Sequence, residues 1–159
     1  MNSKIRCNWE TKNKLYIDYH DKEWGTPTYN DDKLFEYLIL EGMQAGLSWL
    51  TILKKRENYR LAYDGFNPLK VANYDEGKKL ELLNNAGLVR NKLKIEASIT
   101  NAKAFLNIQK EFGSFKKYIW EFVDSTIIYA HMQATGMVND HVVDCFRYKE
   151  VANLATIEK

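Results

Sequence analysis

The chain has 159 residues, which is the length of one ordinary domain. Its 45% apolar and 28% charged residues lie close to the globular average, so a disordered, collagen-like or coiled-coil chain is excluded. With 23 basic and 21 acidic residues the net charge is +2, which permits a nucleic-acid partner without indicating one. No apolar run approaches the roughly 18 residues of a membrane span, and the N-terminus lacks the apolar core of a signal peptide. We therefore expect a cytoplasmic protein with no membrane association.

Helix signals follow one another along the chain, and no segment alternates convincingly enough to indicate a strand. The fold class that this pattern predicts is all-α. Polar residues that can cap a helix precede apolar positions spaced by three and four, and glycines at 46, 65, 87, 113 and 136 are candidate stops. The helix after Asn91 should be the longest, at about twenty residues. In chain order, the predicted helices start at Asp31–Asp32, Ser48, Asn67–Pro68, Asp75, Asn91, Ser114, Thr126 and, as a last short turn, Asn139–Asp140.

The few cysteines and histidines fall at opposite ends of the chain. His141 and Cys145 are four residues apart, so on a helix they share one face. Cys7 and His20 lie near the N-terminus and complete a Cys2His2 set, the number and type of ligands that a closed tetrahedral zinc site requires. We predict a structural Zn²⁺ that joins the two terminal regions. The alternative is a pair of buried free cysteines with two histidines bonded in the core.

A second group combines aromatic rings with one carboxylate. It consists of Tyr16, Tyr19, Trp24, Glu41 and Trp49, in a chain whose aromatic content is 13%. Ring faces attract a flat, electron-poor heterocycle, and a carboxylate accepts from its amino edge. The alternative is that the rings belong to the core and that Glu41 faces water.

Several motifs resemble one family closely, namely the Tag-type DNA-3-methyladenine glycosylases I. The resemblance runs from residue 5 to about residue 123 and resumes from about 126 to 148. It is carried by C-x-W at 7–9, Y-x-x-YHD-x-EWG at 16–25, LEG at 40–42, QAGLSW at 44–49, LKKRE-x-Y at 53–59 and NDH at 139–141.

The resemblance implies an all-helical fold of the helix-hairpin-helix glycosylase superfamily, with a single domain over residues 1–159 and a structural zinc. It implies a monofunctional hydrolase without lyase activity, which acts in base excision repair. The enzyme would cleave the N-glycosidic bond of 3-methyladenine in alkylated double-stranded DNA and release the free base. We expect it to be a monomer. The implied zinc ligands are the four named above, Cys7, His20, His141 and Cys145.

The resemblance also assigns roles to the aromatic group. Glu41 would bond the amino edge of the extruded base and, as the catalytic residue, help an oxocarbenium-like transition state. The rings of Tyr16, Tyr19 and Trp49 would stack on the base or line its pocket. A further set, Gln44, Gly46 and Leu47, would lie near the gap that the flipped nucleotide leaves in the DNA.

One departure from the family concerns the join at Val123-Asp124-Ser125-Thr126. Family members carry a few dozen further residues there, including a lysine-rich helix and the first half of the DNA-binding hairpin. Backbone amides of that hairpin would anchor DNA phosphates. Two alternatives to an active enzyme therefore follow. One is a remnant that keeps the base pocket and the zinc but binds DNA weakly or without catalysis, and the other is a zinc domain whose aromatic group is only core.

Overall fold

The computed structural model describes residues 4–9, 12–122 and 129–157, and every regular element in these ranges is a helix. The prediction of an all-α fold is therefore confirmed. No helix in the described ranges combines the length and the apolarity that crossing a membrane would require. A short 3-10 turn at Asp64–Phe66 separates two of the helices. The α-helices are α1 Lys14–Lys22, α2 Asp31–Gln44, α3 Trp49–Ala62, α4 Pro68–Ala72, α5 Glu76–Asn84, α6 Lys92–Phe112, α7 Phe115–Phe122, α8 Tyr129–Ala134 and α9 Phe146–Ile157.

The residues form two compact units. The first unit combines Met1–Thr28 with Asp124–Lys159, and the second is Tyr29–Val123. Within each unit the residues contact one another more than they contact the rest of the chain, which does not establish that either unit folds alone. The single domain expected from the resemblance therefore stays a prediction.

The second unit is organised around α6, its longest helix at 21 residues. This helix packs against α2, α4, α5 and α7. In the core, the ring of Phe105 lies 5.0 Å from that of Phe35 and 4.2 Å from that of Phe115. Burial of these rings supplies the apolar area that stabilises a helical unit of this size. The predicted helix after Asn91, ended by Gly113 at φ +87°, is confirmed in type and length.

The start of α2 differs from the prediction. Asn30, not Asp31–Asp32, caps the helix, because Asn30 has an extended backbone and its side chain accepts from the Lys33 amide. Asp31 is already helical, and its carboxylate accepts from the amides of Phe115 at 2.9 Å and Lys116 at 2.7 Å. Asp31 therefore caps α7, in addition to Ser114, whose predicted capping role is confirmed by its bond to the Lys117 amide.

Two predicted glycine stops are wrong. The helix α3 ends at Ala62, before Gly65, which lies at φ +70° inside the 3-10 turn. The helix α5 ends at Asn84, before Gly87. The predicted caps Ser48, Asn67 and Asp75 are each confirmed by a side-chain bond to a helix amide. The positions of glycines therefore predicted the ends of these helices less well than the capping residues predicted their starts.

In the first unit, α1 and α9 were not predicted. The predicted helical turn at 141–145 is wrong: Cys145 donates its amide to the Val142 carbonyl at 2.8 Å in a non-helical turn, and α9 begins at the next residue. The helix predicted from Thr126 is described from Tyr129 to Ala134, and its start lies outside the described residues. Gly136, at φ +76°, follows this helix, and a Cβ there would lie 2.2 Å from the Pro27 nitrogen.

Candidate functional site

The four predicted metal ligands come together in the first unit. One ligand atom from each of the four lies within 4.8 Å of the others. All four side chains are buried, with at most 3% of each exposed. They are Cys7, His20, His141 and Cys145.

The distances in this cluster fit a tetrahedral ion. The His141 Nδ1 atom lies 3.5 Å from each of the two sulfurs, and the His20 Nε2 atom lies 3.6 Å from the Cys145 sulfur. A zinc ion with bonds of about 2.3 Å to sulfur and about 2.0 Å to nitrogen would hold such atoms about 3.5 Å apart. The donor set and its spacing therefore fit a metal of this kind.

A hydrogen bond fixes which nitrogen His20 presents to the cluster. Its Nδ1 atom lies 2.9 Å from the Asp21 Oδ1 atom, and because a carboxylate only accepts, Nδ1 is the donor. The lone pair of Nε2 is then available to the cluster, where this atom lies 3.6 Å from the Cys145 sulfur. Arg6 completes the chain by donating to both oxygens of Asp21, at 2.8 and 2.7 Å. Burial by itself raises the pKa of Asp21, but the bonds from Arg6 and His20 outweigh it and hold that pKa below its usual range.

His141 uses the opposite nitrogen. Its Nε2 atom lies 3.1 Å from the Trp24 carbonyl oxygen and donates to it, which leaves Nδ1 for the cluster. Burial lowers the pKa of His141 to about 4, so the ring is neutral near pH 7, as a metal ligand must be. Gly25 lies against this ring, since a Cβ there would be 3.0 Å from Nε2.

Burial also raises the pKa of the Cys7 thiol to about 11 without a metal. A bound cation would lower it again, because a coordinating thiol is deprotonated. Aromatic rings surround the cluster and exclude water: Trp24 lies 4.5 Å from the His141 ring, and Trp9 lies 5.2 Å from the His20 ring.

Sequence reasoning missed the residues that orient these ligands. Asp21 was part of a motif without a role, and Arg6 was not singled out. The signal was present, because an aspartate directly follows one ligand and an arginine directly precedes another. The turn that replaces the predicted helix at 141–145 still brings His141 and Cys145 together. The predicted proximity of the two ligands is therefore confirmed, although the helix from which it was predicted is absent.

Two residues of the predicted base-binding set lie on α1 in the first unit. The rings of Tyr16 and Tyr19 are stacked, with centroids 6.5 Å apart and an angle of 23°. Tyr19 is 4% exposed, whereas Tyr16 is half-buried, and burial raises the pKa of Tyr16. The ring of Trp9 lies 5.2 Å from that of Tyr16.

The other two residues lie in the second unit. Glu41 is in the last turn of α2, and its Oε1 atom is buried. Trp49 is the first residue of α3, directly after the Ser48 cap, and its Nε1 atom is buried. The alternative in which Glu41 faces water does not hold for this oxygen. That the two pairs form one pocket stays a prediction, because the pairs belong to different units.

The predicted DNA-gap residues form the connection between α2 and α3. Gln44 is the last residue of α2, and its carbonyl accepts from the Leu47 amide at 2.6 Å. Gly46 lies at φ +77°, and 41% of Leu47 is exposed. The connection is therefore a tight turn with an apolar side chain at its surface.

Comparison with known proteins places the chain in a family. The model of the methyladenine glycosylase family matches residues 9–126 and 121–148. DNA-3-methyladenine glycosylase 1 of Escherichia coli K12 is 40% identical over 180 residues, which span 90% of this chain and 96% of that protein.

Solved structures agree with the family match. A crystal structure of 3-methyladenine DNA glycosylase I (TAG) superimposes with a TM-score of 0.83 at 39% identity, covering 89% of this chain and 98% of that one. The Staphylococcus aureus enzyme, solved to explain 3-methyladenine recognition, gives a TM-score of 0.83 at 32% identity, with 88% and 94% covered. The chain therefore belongs to the methyladenine glycosylase family.

Proposed function

We propose that this chain is a DNA-3-methyladenine glycosylase of base excision repair. It hydrolyses the N-glycosidic bond of 3-methyladenine in alkylated double-stranded DNA and releases the free base. The observation that carries the proposal is the match to a protein named for this activity, at 40% identity over nearly the full length of both chains.

The chemistry of the substrate explains why so few catalytic groups are needed. Methylation at N3 leaves the base with a positive charge, so its glycosidic bond is already weak and the base departs without strong protonation. Aromatic faces attract such a cation, and an unmodified, well-stacked adenine lacks this attraction. Selection of the extruded base then supplies much of the specificity.

Glu41 is the residue proposed to act on the substrate. Its buried Oε1 atom is a strong acceptor for the amino edge of the base, because a carboxylate held away from water interacts more strongly with a donor. The same negative charge stabilises the oxocarbenium-like sugar as the bond breaks. Tyr16, Tyr19 and Trp49 supply the rings that stack on the base or line its pocket.

The Cys2His2 cluster is proposed to hold a structural Zn²⁺. Its buried sulfurs and nitrogens have the spacing that the ion needs, and the histidines are oriented by their outer hydrogen bonds. Four protein ligands leave no position for a water molecule, so the ion has no part in the hydrolysis. Its role is to hold together segments that are distant in sequence.

An alternative to the active enzyme is that this chain is a remnant that binds DNA only weakly. The family model matches in two parts that overlap at residues 121–126. The join lies largely outside the described residues. If a helix-hairpin-helix fold is shortened there, DNA affinity falls while the base pocket and the metal site stay intact.

We also propose that the protein acts as a monomer.

The test measures the release of 3-methyladenine from methylated duplex DNA by the zinc-loaded protein. We expect release by the wild type, and about 100-fold slower release by Glu41→Gln, because the variant lacks the charge that stabilises the transition state. The control is Glu111→Gln, an exposed glutamate near the end of α6, which should act at the wild-type rate.

Absence of release from a folded, zinc-loaded wild type would overturn the enzyme proposal. If that sample still binds free 3-methyladenine, the remnant is the correct alternative. An E41Q rate equal to that of E111Q would remove Glu41 from the mechanism without removing the activity.

A further inference from the structure

Two short-range hydrogen bonds help to shape the segment from Gln44 to Ser48. The Gln44 carbonyl accepts from Leu47, and the Ser48 hydroxyl accepts from the Thr51 amide at the start of α3. This leaves the carbonyls of Met43 and Ala45 at the end of α2, where a helix has no backbone donors of its own.

One side chain from another helix contacts both of these carbonyls. The Lys94 ammonium donates to the Met43 oxygen at 2.7 Å and to the Ala45 oxygen at 2.6 Å. The same group therefore bonds the carbonyls on either side of Gln44. Hydrogen bonds from a charged donor are among the stronger ones in proteins.

Electrostatics indicate that the positive charge of Lys94 stabilises the end of α2 and not the start of α6, the helix to which Lys94 belongs. Lys94 lies in the first turn of α6, where the helix dipole disfavours a positive charge. The first turn of α6 contains no acidic residue that could compensate it. At the C-terminal end of α2 the sign reverses, and the ammonium is stabilised by the exposed carbonyls.

A cavity of about 180 Å³ lies between α2 and α6, and its lining includes Gly42, Met43, Leu93 and Lys94. The two hydrogen bonds of Lys94 join the end of α2 to α6 beside this cavity.

We propose that Lys94 is a positioning residue, which holds the segment 44–48 in the shape that engages duplex DNA. The segment presents Leu47, with 41% of the residue exposed, on a fixed backbone. The part that concerns DNA rests on the proposed function. Lys94 then affects the extraction of a base from a duplex and not the binding of a base that is already free.

The experiment compares Lys94→Met, Lys94→Arg and the control Lys103→Met. Met keeps the length of the chain but donates nothing, Arg keeps the donors, and Lys103 is an exposed lysine on the same helix. The readouts are amide hydrogen exchange at residues 45–48, the single-turnover rate on methylated duplex DNA and the affinity for free 3-methyladenine.

We expect K94M to exchange the amides of residues 45–48 about 10-fold faster and to act 10- to 100-fold more slowly on duplex, since a small misplacement is costly in catalysis. Its affinity for the free base should stay within about twofold of the wild type. K94R should recover much of both losses, and K103M should match the wild type.

Exchange in K94M equal to that in K103M would overturn the proposal. So would equal losses in duplex activity and free-base affinity, because these would indicate general damage to α2. If the wild type itself releases no base, the proposed function fails, and the exchange comparison still decides whether Lys94 fixes the segment.

Discussion

At the scale of single residues, the partners of a ligand decide how well it binds. Asp21 accepts from His20 and is held in turn by both donors of the Arg6 side chain. This arrangement fixes the tautomer of His20 and raises the basicity of the nitrogen that faces the cluster. Asp21 therefore acts on the proposed metal without touching it.

We predict that Asp21→Asn lowers the zinc affinity 10- to 100-fold, which is the usual effect of losing such a partner. Competition with a chelator of known affinity measures it. Asp18→Asn is the matched control, because Asp18 lies on the same helix and its ion pair among the described residues is with Lys22 at the surface. The zinc affinity of this variant should be that of the wild type. Equal affinities of D21N and D18N would contradict the role of Asp21.

The composition of the metal cluster was predictable from the sequence, whereas the orientation of its ligands was not. Two cysteines and two histidines indicate a tetrahedral site by number and type alone. The Nε2 atom of His141 donates to the backbone carbonyl of Trp24. Every residue has a backbone carbonyl, so the sequence cannot predict which one accepts this hydrogen bond. The burial of the Glu41 Oε1 atom could not be predicted from the sequence either, because it depends on how the chain folds around that atom.

At the scale of elements, α2 and α3 are joined by a buried ion network. Glu36 accepts from Arg56 at 2.7 Å, from Arg60 at 3.0 Å and from Lys33 at 3.0 Å, with only 7% of its side chain exposed. A buried carboxylate without such partners would be strongly unfavourable. The network therefore makes the relative placement of the two helices depend on charge.

This network predicts a pH dependence of stability. Burial alone raises the pKa of Glu36, but Arg56 and then Lys33 outweigh it and hold that pKa below its ordinary value of 4.5. The folded state thus binds this proton more weakly than the unfolded state does. The stabilisation is complete above about pH 4.5 and is lost as the pH falls through the lower, folded-state pKa.

We expect Glu36→Gln to lower the free energy of unfolding at pH 7 by about 3 kcal/mol, because it leaves the buried Arg56 without its counter-charge. Urea unfolding between pH 7 and 3 should show a flatter acid limb for this variant than for the wild type. The control Glu81→Gln removes an exposed pair with Lys78 and should change stability by less than about 1 kcal/mol. An unchanged acid limb in E36Q would contradict the assignment.

Local capping signals explain which elements were predictable. The caps at Ser48, Asn67, Asp75 and Asn91 each have the side chain that satisfies a helix amide, and each helix starts as predicted. The helix α1 also has a capping side chain, because Asn13 accepts from the Leu15 amide, so the same signal was present there and was missed. The helix α9 lacks a clear apolar stripe, so its own periodicity does not predict it.

At the scale of the whole molecule, the proposed zinc connects distant parts of the chain. The cluster brings His20 within 3.6 Å of Cys145, although they are 125 residues apart in sequence. Because an unfolded chain has no preformed site, the binding free energy of the ion contributes to folding.

Removal of zinc with a chelator should therefore lower the melting temperature, with a loss of several kcal/mol in stability. Cys145→Ala should already have a low melting temperature, and the chelator should change it little further. Calorimetry with metal analysis of each sample checks this. A wild type that holds less than one zinc per chain, or that melts at the same temperature after chelation, would contradict the structural role.

Cleavage of a glycosidic bond in alkylated DNA requires the whole molecule, because the base and the duplex must both be held. The resemblance in sequence indicated this chemistry, and the family model matches the chain on both sides of residues 121–126. The most direct measurement incubates the zinc-loaded chain with methylated duplex DNA and analyses both the released bases and the strands.

We predict that free 3-methyladenine accumulates while unmodified adenine stays in the DNA, and that the strands break only after alkali opens the abasic sites. Intact DNA with no released base, from a folded and zinc-loaded sample, would contradict the account. Strand cleavage without alkali would contradict its monofunctional hydrolysis.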